Sequence, residues 1–259
     1  MILADFDTKQ ITAHIEGRIA ATAIEEDPFP HLVIADLLPP EAYEAVLRHW
    51  PPDELFRINR SMERKDVNVR RDLADLPEPA RSFWTELRAW TTAANRAIAL
   101  RFAPYARLKY ELFLGPRWQE LIGEIAHIIG EAHLAYYSGK VGLAPHIDHP
   151  KLVTNAFLYC SERHEEEPEL GTVLYAGRGF AMPDNKLALT APLIARLLRR
   201  VKVVPYRANL CLAYLNTPRS FHGVDAMDLG DRHRRLLMFG SMLRIKDAVR
   251  LFGPEYAPP

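Results

Sequence analysis

The sequence predicts an α+β fold in which a mainly helical N-terminal region, residues 1–131, packs on a β core, residues 132–245. Amphipathic helical patterns dominate the first half of the 259-residue chain. In the second half, short runs rich in β-branched and aromatic residues alternate with Gly, Pro and Asn. Several such strands in succession are typical of a barrel or a jelly roll. We expect the two parts to form one structural domain.

In the N-terminal region, one short β-rich run, His31–Ile34, precedes the helices. Helices are predicted over residues 39–50, 79–103 and 116–129. In each of them proline stands near the first turn and apolar residues recur at helical spacing. Residues 54–75 are rich in Arg and Asp and lack periodicity, which predicts a loop.

In the β core, six runs have strand character. They cover residues 133–137, 153–159, 172–175, 201–204, 210–215 and 234–242. Leucines at helical spacing over about residues 185–200 predict a helical insertion between strands. Insertions in barrel loops often cover the mouth, so this segment is a candidate lid or substrate wall.

Charge and cysteine content narrow the class of protein. Lys plus Arg and Asp plus Glu each number 33, so the formal net charge is zero. Nucleic-acid-binding proteins usually carry a basic excess, so we expect a small-molecule substrate and no nucleic acid. No apolar stretch is long enough for a membrane span, and no secretory signal is recognisable. Cys160 and Cys211 lie in apolar runs and are predicted to be buried free thiols, as in a cytoplasmic protein.

The strongest chemical signal lies in residues 144–150, which contain His146-Ile147-Asp148. Residues two apart on an extended chain point to the same side, so His146 and Asp148 can reach one metal ion. His222 follows the predicted strand 210–215 and offers a third ligand from a distant part of the chain. Two histidines and one carboxylate leave coordination positions open and suit non-haem iron(II).

A positively charged residue follows His222 in the sequence. Arg232 lies ten residues after His222, just ahead of a predicted apolar strand. A 2-oxoglutarate bound to iron through its keto acid needs a cation for its far carboxylate. The planar fork of arginine pairs with a carboxylate through two parallel hydrogen bonds. Arg232 is therefore the predicted anchor.

Residues 132–243 resemble the prolyl-4-hydroxylase-like branch of the iron(II)/2-oxoglutarate dioxygenases. The resemblance is carried, in chain order, by Tyr137-Ser138-Gly139, His146-Ile147-Asp148, the strand 153–159, and His222 with Arg232. Residues 27–40 also resemble the N-terminal entry of many bacterial members. The resemblance implies a double-stranded β-helix, in which iron(II) is held by His146, Asp148 and His222. It further implies 2-oxoglutarate and O2 as cosubstrates, with Arg232 on the distal carboxylate.

The resemblance implies further cosubstrate contacts. Tyr159 or Tyr137 would add a hydroxyl hydrogen bond to 2-oxoglutarate, and Asn155 would line its pocket. Arg234, expected on the same strand face as Arg232, ranks second as a carboxylate or substrate contact. The implied activity is hydroxylation of an unactivated C–H bond with release of succinate and CO2. Desaturation and cyclisation stay open.

Two other classes of function also stay open. A cupin-like metalloenzyme could use the same three ligands without 2-oxoglutarate, but it would not need Arg232. A non-catalytic barrel protein would bind iron without forming succinate. The residues do not identify the substrate: an amino acid or a natural-product intermediate is favoured over a peptide, a carrier-tethered group or a modified sugar. The sequence also does not indicate the oligomeric state.

Overall fold

A computed structural model describes residues 6–59, 64–73, 76–123, 125–182, 184–185 and 189–254. Among these residues seven α-helices form: α1 (Thr8–Ala21), α2 (Pro40–Arg48), α3 (Ala80–Phe102), α4 (Ala106–Leu114), α5 (Trp118–Ile122), α6 (Ala191–Leu197) and α7 (Ile245–Phe252). The predicted helices over 39–50 and 79–103 are confirmed as α2 and α3. The prediction over 116–129 is wrong beyond α5. That helix ends at Gly123, which has a φ of 42°, and the chain then turns into a strand.

The described strands are β1 (His31–Ile34), β2 (Arg57–Asn59), β3 (Arg64–Asn68), β4 (His127–Ile129), β5 (His133–Tyr137), β6 (Lys140–His146), β7 (Leu152–Tyr159), β8 (Glu167–Gly177), β9 (Leu198–Tyr206), β10 (Cys211–Leu215), β11 (Phe221–Asp228) and β12 (Arg234–Leu243). All six predicted strand runs fall on strands of the structure. The sequence pattern did not reveal β6 and β11, which carry the two histidines of the predicted metal site.

Two antiparallel sheets face each other. The major sheet has the strand order β1-β10-β7-β12-β5-β3-β2, with β4 also paired to β12. The minor sheet has the order β6-β11-β8-β9. The predicted α+β fold with a jelly-roll core is confirmed, and β1 to β4 show that the N-terminal region also supplies strands to the major sheet.

Two local predictions need correction. Residues 54–75, predicted as a loop, contain the hairpin β2–β3, because β3 pairs with β5 and gains hydrogen bonds that local sequence does not reveal. Residues 60–63 and 74–75 lie outside the described residues. The helical insertion predicted over about 185–200 forms only as α6. The chain continues from Leu198 as β9, which pairs with β8, and residues 186–188 are not described.

Alternation along the strands separates two cores. On β7 and β12, Leu158 and Leu237 face the helices and join a core with α1, α2 and α3. Their neighbours Tyr159 and Leu236 face the space between the two sheets and join a second core. Because successive strand residues point to opposite sides, each strand of the major sheet serves both cores. The space between the sheets is therefore lined by alternate residues of β5, β7 and β12.

Cys160 and Cys211 are buried and free, as predicted. In the described part of the chain, no helix is long and apolar enough to cross a membrane.

Candidate metal centre

His146, Asp148 and His222 meet at one end of the space between the sheets. Their ligand atoms all lie within 4.8 Å of one another. His146 and His222 are a directly opposed pair of β6 and β11, with ring centroids 4.4 Å apart. Asp148 follows β6 and places Oδ1 3.9 Å from Nε2 of His146 and Oδ2 3.6 Å from Nε2 of His222. The structure thus brings the three predicted ligands together.

The backbone fixes the orientation of both imidazoles. Nδ1 of His146 lies 3.0 Å from the carbonyl oxygen of Ala144, and Nδ1 of His222 lies 3.0 Å from that of Ser220. A neutral imidazole that donates from Nδ1 carries its lone pair on Nε2. Such backbone acceptors are the usual partners of metal-binding histidines. Both Nε2 atoms are therefore presented as ligands.

The Asp148 carboxylate is held by two donors on the major sheet. The buried hydroxyl of Tyr214 and the side-chain amide of Asn155 both donate to Oδ2. With Oδ2 occupied in this way, Oδ1 is the oxygen available to a metal. Burial acts to raise the pKa of Asp148, but His222, His146 and these two donors outweigh burial and lower it. Asp148 is thus a carboxylate at neutral pH.

The residues fit a metal ion. Among the described residues, Nε2 of His146 is buried and has no hydrogen-bond partner. A buried polar atom without a partner is costly, and a metal ion would satisfy it. Burial and the neighbouring His222 lower the pKa of His146 to about 4, so this imidazole is neutral and ready to bind a cation. The donor set of two imidazoles and one carboxylate suits iron(II).

A buried lysine supports the turn that follows Asp148. Lys109 of α4 is fully buried, and its ammonium donates to the carbonyl oxygens of Pro150, Leu152 and Asn216 at 2.8, 2.7 and 3.2 Å. The Asn216 side chain also donates to the carbonyls of His149 and Leu152, at 2.9 and 3.1 Å. Lys109 and Asn216 together fix the backbone of the turn that carries the carboxylate ligand.

The metal ligands open into a cavity of about 380 Å³, hereafter the metal cavity. Arg234, the first residue of β12, lines it and is only 1 % exposed. Its guanidinium donates to the Leu170 carbonyl at 2.7 Å through Nε and to the Thr172 hydroxyl at 3.2 Å through Nη2. It also lies 5.2 Å from the centroid of the Tyr137 ring. The metal cavity therefore contains a fixed, buried cation.

Arg232 is not in the metal cavity, and its predicted position is wrong. It lies in the turn before β12, where its backbone N–H donates to Leu229. Its side chain is 38 % exposed and forms ion pairs with Glu169 at 3.0 Å and with Glu167 at 3.6 Å. Strand alternation does not extend into this turn, so Arg232 does not share the face of Arg234.

The other predicted contacts are placed as follows. Tyr137 and Asn155 line the metal cavity, and Asn155 contacts the ligand Asp148 directly. Tyr159 is buried behind the cavity, and its hydroxyl donates to Thr172 at 2.7 Å. Burial raises the pKa of Tyr159, although the Arg234 charge opposes this effect.

Sequence reasoning missed Thr172, Tyr214 and Lys109. Thr172 and Tyr214 lie within predicted strands, but only the strand register shows which residues they face: Tyr214 is opposite Asn155. Lys109 lies on a helix that the sequence analysis did not predict. No local signal distinguishes it from an exposed lysine.

No protein-family model and no curated protein sequence matches the chain. The structure is similar to a prolyl hydroxylase from Trichoplax adhaerens solved with a peptide fragment of the hypoxia inducible factor oxygen degradation domain. The TM-score is 0.50 at 12 % identity, over 93 % of this chain and 92 % of that chain.

Two further solved structures are similar. The non-haem α-ketoglutarate-dependent carbocyclase SnoK from nogalamycin biosynthesis has a TM-score of 0.49 and 13 % identity, over 95 % of this chain and 87 % of that chain. HygX from Streptomyces hygroscopicus, solved with nickel, 2-oxoglutarate and hygromycin B, has a TM-score of 0.42 and 14 % identity, over 82 % of each chain. The alignment with the prolyl hydroxylase, over 93 % of this chain, shows that the chain has a double-stranded β-helix fold.

Proposed function

We propose that this protein is an iron(II)- and 2-oxoglutarate-dependent oxygenase that hydroxylates a small molecule. One observation carries the proposal: a two-histidine, one-carboxylate site and a buried arginine line the same cavity. A three-ligand site leaves coordination positions for a chelating cosubstrate. A cavity of about 380 Å³ falls within the range of small-molecule sites.

In this proposal His146, Asp148 and His222 hold the iron. When bound, iron(II) and 2-oxoglutarate supply the oxidising chemistry, in which O2 is consumed and succinate and CO2 are released. The protein contributes geometry. Tyr214 and Asn155 hold Oδ2 of Asp148, and the backbone acceptors at Ala144 and Ser220 aim the imidazoles.

Arg234, and not Arg232, binds the distal carboxylate of 2-oxoglutarate in this proposal. Its five N–H donors exceed the hydrogen bonds that it makes to Leu170, Thr172 and Tyr159, so donors remain for a carboxylate. Because Arg234 is buried, its charge is weakly screened and attracts an anion strongly. Tyr137 packs on Arg234 and lines the cavity, which supports a hydroxyl contact to 2-oxoglutarate in this proposal.

The test is an anaerobic titration of the metal-free protein with iron(II) and then 2-oxoglutarate, followed by the weak visible charge-transfer band of the chelate. The wild-type protein should develop the band. Arg234→Leu should need about tenfold or more 2-oxoglutarate for half-saturation, because it loses charge-assisted hydrogen bonds. Arg232→Leu is the matched control, two residues away and on the surface, and should titrate like the wild type.

Other outcomes are equally informative. Iron binding without a band would overturn the proposal in favour of a metalloenzyme that does not use 2-oxoglutarate. A band that is weakened by Arg232→Leu and unaffected by Arg234→Leu would show that the anchor is misassigned.

A further inference from the structure

The major sheet places a second arginine near the metal cavity. Arg64 of β3 lines the same cavity as Tyr137 and Arg234. The register pairs Lys65 with Tyr136, so Arg64 stands across from Tyr137, and Tyr137 in turn is opposite Arg234 on β12. Residues opposite one another in antiparallel strands share a face. Arg64, Tyr137 and Arg234 therefore form one row across three strands, with the two cations on either side of the tyrosine.

Arg64 is held in place and is not a mobile surface side chain. Its Nε donates to Oδ1 of Asp66 at 2.6 Å, and the Asn59 amide donates to Oδ2 of the same carboxylate at 2.8 Å. The side chains of Arg64 and Asp66 are only 14 % and 20 % exposed. Arg64 also hydrogen bonds to the Tyr137 hydroxyl. A guanidinium has five donors, more than Asp66 and Tyr137 use, so Arg64 retains donors for another partner.

We propose that Arg64 binds a carboxylate of the substrate, so that this protein acts on a small carboxylic acid. The inference rests on the proposed function, in which Arg234 is committed to 2-oxoglutarate. Arg64 lies on the far side of Tyr137, in the part of the metal cavity formed by the β2–β3 hairpin. An arginine held through Nε presents its planar terminal edge, which matches a carboxylate.

The surrounding charges favour a carboxylate over a phosphate. Asp66 and Glu131 also line the cavity, and they would repel a group with two negative charges more than a group with one. Lys151, in the turn after Asp148, also lines the cavity and adds a third positive charge to its wall. A singly charged acid is therefore the best match.

The experiment compares acids with their primary amides. Amino acids, N-acetyl amino acids and aromatic acids, each paired with its amide, are screened by saturation-transfer NMR against protein loaded with zinc(II) and saturating 2-oxoglutarate. At least one acid should bind about tenfold or more tightly than its amide, because the neutral amide cannot form the charge-assisted, bidentate hydrogen bonds that a carboxylate forms with the free donors of Arg64.

Three variants assign this preference to Arg64. Arg64→Gln should lose it, and Arg64→Lys should keep part of it, since the charge remains without the planar fork. Arg57→Gln is the matched control on the same hairpin, because the Arg57 side chain is 82 % exposed. It should keep the full preference.

Two results would overturn the inference. One is that no acid in the set binds in preference to its amide. The other is that Arg64→Gln weakens the 2-oxoglutarate charge-transfer titration as much as Arg234→Leu does, which would place Arg64 in the cosubstrate site. Both results are interpreted only if the wild-type protein forms the charge-transfer band with iron(II) and 2-oxoglutarate. If the wild-type protein does not form this band, the proposed function is wrong, independently of Arg64.

Discussion

Tyr214 and Asp148 are joined by a hydrogen bond from the buried tyrosine hydroxyl to Oδ2 of the carboxylate, and the same hydroxyl oxygen lies 3.1 Å from Nε2 of His222. A tyrosine hydroxyl has one proton to donate, and Asp148 accepts that hydrogen bond. The lone pair on Nε2 of His222 therefore stays available to a metal ion. Tyr214 thus orients one ligand without blocking the other.

Replacing Tyr214 by phenylalanine should weaken iron binding about 10- to 100-fold, the range typical for loss of an outer hydrogen bond to a metal ligand. The measurement is competition for iron(II) against a chelator of known affinity. Tyr43→Phe is the control, because the Tyr43 hydroxyl is also buried but bonds to the carbonyls of Tyr159 and Ser161. Equal losses in the two variants would mean that the effect is general destabilisation.

Lys109→Met should destabilise the protein and loosen the metal site. Three buried carbonyls lose their donor, at a cost that removal of the buried charge offsets only in part, so we expect a net loss of about 2 kcal/mol. Urea unfolding measures this loss, and chelator competition should show weaker iron binding. Lys9→Met, at an exposed position of α1, should change neither quantity. A Lys109→Met protein with wild-type stability and iron affinity would show that the turn after Asp148 keeps its conformation without the lysine.

The same lysine predicts a pH dependence of stability. Burial lowers the pKa of Lys109 from 10.5 to about 7. Between these values the unfolded chain binds a proton that the folded protein does not, so stability rises with pH. Wild-type stability should therefore increase relative to that of Lys109→Met from about pH 7 to pH 10, by up to about 1.4 kcal/mol per pH unit. Urea curves at pH 6 and pH 9 test this, and a difference that is constant with pH would contradict it.

Gly223, next to the ligand His222, should not tolerate a side chain. A Cβ at this position would lie 2.6 Å from the carbonyl oxygen of Leu143, on the neighbouring strand β6. Gly223→Ala should therefore push β11 away from β6, lower the unfolding free energy by about 1–3 kcal/mol and weaken iron binding.

Gly17→Ala is the control for Gly223→Ala. A Cβ on Gly17, in α1, would meet nothing within 4 Å, and alanine favours a helix by up to about 1 kcal/mol. Thermal denaturation with and without metal should separate the two variants. Intact metal binding in Gly223→Ala would show that the strands can adjust.

The metal ligands could be predicted because their signal is local. His146 and Asp148 are two residues apart on an extended segment, and strand alternation alone places them together. His222 was found from its position after a predicted strand, although the strand it occupies was not recognised. The cation could not be assigned in this way. The predicted strand already began at Arg234, but the direction of the Arg232 side chain depends on the turn before β12, where it pairs with Glu167 and Glu169 of β8.

The positions of the other residues around the site depend even more strongly on contacts between segments that are distant in sequence. The hairpin β2–β3 gains its structure from β5, so Arg64 and Asp66 had no strand pattern of their own to reveal their side of the sheet. Lys109 is buried because three carbonyls from two distant segments converge on it. A lysine in an isolated helical sequence is otherwise expected to be exposed.

The direct opposition of His146 and His222 on adjacent strands has a consequence for how the protein matures. The two residues are 76 positions apart in the chain (222 minus 146), so the unfolded polypeptide brings them together only at a cost in chain entropy. The paired strands β6 and β11 hold them together, so a bound ion stabilises the folded state relative to the unfolded one. In the proposed function, iron depletion would therefore remove a stabilising ligand as well as the catalytic metal, and the metal-free protein should unfold and be degraded more readily than the iron-bound protein.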